Sequence, residues 1–101
     1  MNKQQLLQML GLAMRAGKVV SGEEQVLAAI RSGAAYRVLI SDDAAPNSRK
    51  KIANKCDFYD VPLTIAGSRQ ELGGAIGKAE RVVIAVTDPG FAKAMGNGAS
   101  N

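Results

Sequence analysis

Apolar positions near the start of the chain recur at helical spacing. Leu6, Leu10 and Ala13 or Met14 fall on one stripe, which predicts a helix from about Lys3 to Ala16 that Gly17 stops. Val19 and Val20 read as a very short strand, and Ser21 is the expected cap of a second helix. Val26, Leu27 and Ile30 face that helix toward a core, and Gly33 ends it. Arg37 to Ile40 is a strand, extendable from Tyr36 to Ser41, with a loop from Asp42 to Asn47 at its C-terminal end. Asn47 or Ser48 is the expected cap of a third helix, basic and then apolar, that runs to about Tyr59. Val61 to Ile65 follows as a strand, and Gly67 as a turn.

The segment from Ser68 to Val86 carries the clearest local signals. Ser68 and Glu71 form a capping box, in which the serine oxygen accepts from the N–H three residues on while the glutamate reaches back. Leu72 and Ile76 share one face of the resulting helix, and Gly77 supplies the left-handed residue at its end. Lys78, Ala79, Glu80 and Arg81 form a polar loop before Val82 to Thr87, a short apolar run of the kind a doubly buried strand shows. A loop mounted between a glycine-ended helix and a core strand is held at both ends, which suits a contact surface. Asp88-Pro89 then starts a last short helix through Met95.

Strands alternating with helices predict an α/β fold: a three-layer α/β/α sandwich around a small four-stranded mixed sheet. Residues 1–95 make one domain without repeat or linker, and residues 96–101 have nothing to bury and are expected to fray. With 47% apolar residues but only two Tyr, two Phe and no Trp, the core must be aliphatic.

Composition removes several function classes. There is no His, so His-based triads and the commonest metal ligand are absent. Asp42-Asp43 is a solvent-facing turn pair rather than a cation site. Gly73-Gly74-Ala75-Ile76-Gly77 lies at a helix end, whereas phosphate loops precede a helix, so close packing and a helix stop explain it. Ser48-Arg49-Lys50-Lys51 matches a nucleophile pattern without its companion motifs. Cys56 is the lone cysteine and reads as a small buried thiol. No catalytic residue, metal or cofactor is expected. No apolar run approaches the roughly 20 residues of a membrane helix, and the first residues lack a secretory pattern, so no membrane association and a cytoplasmic location are expected. The net charge is +4, and its excess is uneven: residues 1–51 carry eight Lys or Arg against four acids, while residues 52–101 carry five of each. Such a basic surface is the electrostatic footprint of a nucleic-acid binder, or else simply solubilises the protein.

The Ser68 to Val86 order resembles that of the large-subunit L-seven-Ae ribosomal-protein superfamily, which binds kinked RNA, and most closely its small bacterial YlxQ-type branch. The likeness continues upstream in Ser21-Gly22-Glu23-Glu24-Gln25-Val26 opening a helix, in Val38 to Asp43 ending a strand, and in Cys56 to Pro62 preceding another. It covers the chain from about Leu6 to Ala92.

The resemblance implies a site. Glu24, Gln25 and Ala28 stand where the family presents an Asn-Glu pair and a Lys to the sheared G·A pairs and phosphates of a kink-turn. Gln25 keeps a donor and an acceptor for a base edge; ionised Glu24 offers acceptors alone, and Ala28 offers neither. Lys78, Ala79, Glu80 and Arg81, with Val83 in the strand they enter, stand at the family's second contact, where Lys78 and Arg81 favour phosphates. Asp42 matches an acidic position near bound guanines, Arg69 a basic position beside the RNA, and Gly22 a point of close backbone approach. Lys18, Arg31 and Arg37 flank the second helix and its neighbouring strand as further phosphate contacts.

The resemblance therefore implies a non-enzymatic partner of structured RNA, with ribosomal RNA and a ribosome or other ribonucleoprotein as the expected setting. The alternative is a protein-interaction module that kept the fold and lost the RNA pocket, which Ala28 and Glu80 favour.

Overall fold

The computed structural model describes residues 1–96, in the order α1 (Lys3–Arg15), β1 (Val19–Ser21), α2 (Glu23–Ser32), β2 (Arg37–Ile40), α3 (Pro46–Phe58), β3 (Leu63–Ile65), α4 (Arg69–Ala75), β4 (Val83–Val86) and α5 (Pro89–Ala94). The expected order of helices and strands is the observed one. The strands form one mixed sheet in the order β1-β4-β2-β3. β4 runs antiparallel to both of its neighbours, with Ser21 opposite Ile84 and Ile40 opposite Val83, and β2 runs parallel to β3.

The two central strands are buried at every position, which explains why their sequences are continuous rather than alternating. Their side chains still divide by the two-residue period of a strand. Val38, Ile40, Val83 and Ala85 pack with Val26 and Ile30 of α2 and Ile52 and Cys56 of α3. Leu39, Ile84 and Val86 pack on the other face with Leu6 and Leu10 of α1, Leu72 of α4 and Ala92 of α5. Two helical layers thus enclose the sheet, giving the three-layer α/β/α sandwich. Among the described residues no helix is long and apolar enough to cross a membrane.

Local signals were realised where they depend on neighbours in sequence. Ser68 Oγ accepts from the Glu71 N–H at 3.1 Å, and Glu71 Oε1 accepts from the Ser68 N–H at 2.9 Å. Gly33 and Gly77 take the left-handed conformation, with φ of 81° and 72°. Two caps differ from expectation. Ser21 is the last residue of β1, and Gly22, at φ 94°, takes the N-cap position of α2 without a side-chain bond. Pairing with β4 holds Ser21 in the sheet, so the chain must turn one residue later. α3 begins at Pro46, ahead of Asn47 and Ser48, because proline's fixed φ suits a first helical position.

The Gly96 carbonyl accepts from Arg37, so that residue is tied down, while residues 97–101 of the expected frayed segment lie outside the described residues.

Candidate nucleic-acid interface

β1, β2 and β3 all point the same way, so their C-terminal ends and the start of β4 share one edge of the sheet. α2, α3 and α4 each begin at that edge. Three helix N-termini, with their positive dipole ends, therefore face one region, and in α4 the Arg69 and Glu71 N–H groups are already taken, donating to Asp43 Oδ1 at 3.2 Å and Ser68 Oγ at 3.1 Å. A groove runs between them, lined by Gly22, Glu23 and Gln25, by Ala45 and Ser48 at the start of α3, by Arg69, and by Lys78, Glu80, Arg81 and Val83.

The backbone of the groove is closely specified. Gly22 donates its N–H to the Val83 carbonyl at 3.1 Å, which ties the start of α2 to β4. Gly77 and Lys78 donate to the carbonyls of Gly74 and Gly73, at 3.2 and 2.8 Å, closing α4 in a Schellman motif that launches the polar loop. That loop then crosses directly over Gly73: a Cβ there would stand 2.6 Å from the Ala79 carbonyl carbon and 3.1 Å from Glu80 Cα. Only glycine permits this approach. Arg81 anchors the far end, its backbone N–H donating to the Arg69 carbonyl at 2.9 Å and its Nε to Ser21 Oγ at 3.2 Å.

Charged groups around the groove are partly committed to one another. Arg69 Nε lies 3.4 Å from Asp43 Oδ1, and its Nη2 donates to the Asp43 carbonyl at 2.6 Å. Lys51 reaches from α3 to within 3.0 Å of Glu23 Oε2. Hydrogen bonds from Lys51 first, and from the Ser48 hydroxyl second, hold the Glu23 carboxyl below the usual range. Lys78, by contrast, is exposed at the rim.

Of the residues expected at the site, Gly22, Gln25, Arg69, Lys78, Glu80, Arg81 and Val83 line this one groove. Val83 is buried and contributes through its carbonyl rather than its side chain. Glu24 and Ala28 are exposed on α2, Ala79 on the loop, and Asp42 after β2, where its carbonyl accepts from Arg49 at 2.9 Å. Three expected contacts are elsewhere. Lys18 precedes β1 and Arg31 closes α2, which puts both at the opposite end of the sheet. Arg37 is a correction of a different kind: it is only 4% exposed, with Nη1 donating to Thr64 Oγ1 at 2.8 Å and Nε to the Ala92 carbonyl at 3.4 Å. It holds α5 and the following turn against the sheet and has no surface left for phosphate. Sequence reasoning missed the Glu23–Lys51 pair and the part α3 plays in the groove. Among the described residues, no group of three or more acidic or cysteine side chains could hold a metal ion.

Residues 4–96 match the ribosomal protein L7Ae/L30e/S12e/Gadd45 family. The chain belongs to that family. Within it, the chain is 52% identical over 87 residues to the RNA-binding protein YlxQ of Bacillus subtilis, covering 86% of this chain and 87% of that protein. It is 42% identical over 92 residues to the RNA-binding protein YlxQ of Enterococcus faecium, covering 91% and 88%. A solved structure of a protein of unknown function from Bacillus halodurans superposes with a TM-score of 0.90 at 44% identity, covering 95% of this chain and 97% of that one. The chain is thus a YlxQ-type member of the L7Ae superfamily, and membership agrees with the expectation that it is not an enzyme.

Proposed function

We propose that this protein binds structured RNA in a ribosomal or other ribonucleoprotein setting in the cytoplasm, and that it receives a kinked RNA in the groove at the C-terminal edge of its sheet. The observation that carries this reading is the convergence of Gly22 and Gln25 with Arg69, Lys78 and Arg81 where three helices begin. Gln25 is exposed and offers both a donor and an acceptor to a base edge. Gly22, with nothing within 4 Å of where its Cβ would stand, leaves room for a backbone to approach. Lys78, Arg81 and the N-termini of α2 and α3 suit phosphates, which sharp folding of an RNA crowds together. Shape and phosphate position, rather than a cofactor, would supply recognition.

The test is a titration of the purified protein against a kink-turn RNA, a kink-disrupted version and total ribosomal RNA at two salt concentrations. Preference for the kinked RNA that survives the higher salt is the expected result. Weak binding to all three that vanishes with salt would leave only a basic surface, and would favour the interaction-module reading that Glu80 and Ala28 support.

A further inference from the structure

α3 begins at the groove and leads away from it. Ile52 and Cys56 bury one face of this helix, and the opposite face is open. Asn47, Lys51, Asn54 and Phe58 follow one another along that open face at helical spacing, with Lys50 beside them and Lys55 at the margin. Arg49, Lys50, Lys51 and Lys55 give the helix four positive charges, and no acid occurs in it before Asp57. These are four of the chain's 13 Lys and Arg, gathered on one helix.

Two features connect the row to the groove. Ser48 lines the groove itself, and Lys51 already contacts Glu23 there. At 13 residues the helix is roughly 20 Å long, enough to follow several nucleotides of backbone. Its far end carries Phe58, 77% exposed and set edge-on against Tyr59 with ring centroids 5.0 Å apart. A ring steadied by an aromatic neighbour, and open on the outside, is a platform on which a base can stack.

We propose that RNA leaving the groove runs along the open face of α3, with phosphates on Lys50, Lys51 and Lys55 and an unpaired base stacked on Phe58. This rests on the RNA-binding reading above and extends the interface beyond the groove. The occupant follows from charge complementarity and from continuity: Lys50 and Lys51 stand near the groove end of α3, and Lys55 and Phe58 continue the same helix away from it.

The experiment compares a kink-turn RNA with short arms and the same RNA carrying a single-stranded uridine tail of about 8 nucleotides on each arm, a length chosen to exceed the helix. The wild-type protein is expected to bind the tailed RNA about tenfold more tightly. The Lys50→Ala/Lys55→Ala variant should lose most of that advantage and lower the salt slope on the tailed RNA by roughly 1.4, at about 0.7 per contact for single strands. Phe58→Ala should also lose affinity for the tailed RNA, by about tenfold, with an unchanged salt slope. All variants should bind the short-armed RNA as the wild type does, and thermal melting checks that they fold. Equal wild-type affinity for the two RNAs, or a variant that weakens both alike, overturns the α3 path and leaves the row free for an acidic protein surface. Binding of neither RNA by the wild type would instead remove the groove reading, and this proposal with it.

Discussion

Gly73→Ala is the sharpest perturbation available, because one methyl group would enter the contact between α4 and the Lys78–Arg81 loop. A Cβ at position 73 would stand 2.6 Å from the Ala79 carbonyl carbon and nearer still to its oxygen, where ordinary contact needs at least about 3.4 Å. The obstacle is backbone, which cannot swing aside as a side chain can. The loop must therefore move by about 1–2 Å, straining the Lys78 N–H bond to the Gly73 carbonyl and the Arg81 N–H bond to the Arg69 carbonyl. Overpacking of this kind costs about 1–3 kcal/mol, offset by up to ~1 kcal/mol from replacing glycine with alanine in a helix. Gly74, the next residue in the same helix, has nothing within 4 Å of its Cβ position. Gly74→Ala should therefore gain about 0.5–1 kcal/mol from propensity alone. Thermal melting of the two variants is the assay; at about 4–8 °C per kcal/mol for a domain of this size, they should move in opposite directions. RNA titration of Gly73→Ala should in addition show weakened binding, since Arg81 and Lys78 shift with the loop. If Gly73→Ala melts at or above the wild type, the contact between position 73 and the Ala79–Glu80 backbone does not constrain the loop.

Removing the Arg37 side chain with Arg37→Leu should destabilise the protein by about 2–4 kcal/mol in urea unfolding, because Thr64 and the carbonyls of Ala92 and Gly96 lose their charged donor. The folded variant should keep the wild-type salt slope in RNA titration, which a phosphate contact would not. Gln25→Ala should weaken RNA binding by about 1–3 kcal/mol if it reads a base edge, while Lys78→Ala should mainly lower the salt slope by about 1. Burial pushes the Cys56 thiol up to about 11. A thiol reagent at pH 8 should therefore react with it slowly in the folded protein and fully after denaturation. Because the unfolded thiol ionises near pH 9 and the folded one near 11, its contribution to stability is intact below 9 and falls as pH rises between the two. Urea midpoints of wild type and Cys56→Ala across that window measure it, and parallel profiles would count against the assignment.

How far the sequence could be read depended on the range of the interaction concerned. Ser68 and Glu71 are three residues apart, so their reciprocal bonds were legible before any fold was known. The layered architecture followed from periodicity in the same way. Ser21 misled because the choice between strand end and helix cap was made by β4, more than sixty residues away. Arg37 misled for the same reason: a charged residue at a strand start reads as exposed, and its partners lie 27, 55 and 59 residues further along. The glycines at 73 and 74 did signal close packing, although which of the two was constrained required the loop above them.

The groove also differs from a plain basic patch in a way that bears on selectivity. The N-termini of α2 and α3 and the side chains of Arg69, Lys78 and Arg81 favour anions, yet Glu23, Glu24 and Glu80 stand at the same edge. Glu23 is balanced by Lys51 and Asp43 by Arg69, each across two elements, so these acids cost little in the free protein. Glu24 and Glu80 are exposed and have no such pairing among the described ion pairs. A uniformly basic surface would accept any polyanion at any angle. For an RNA bound as proposed, a backbone that brings phosphates to Lys78 and Arg81 must also keep them from Glu24 and Glu80. On the proposed RNA-binding reading, the repulsive positions thus do as much to define an acceptable path as the attractive ones.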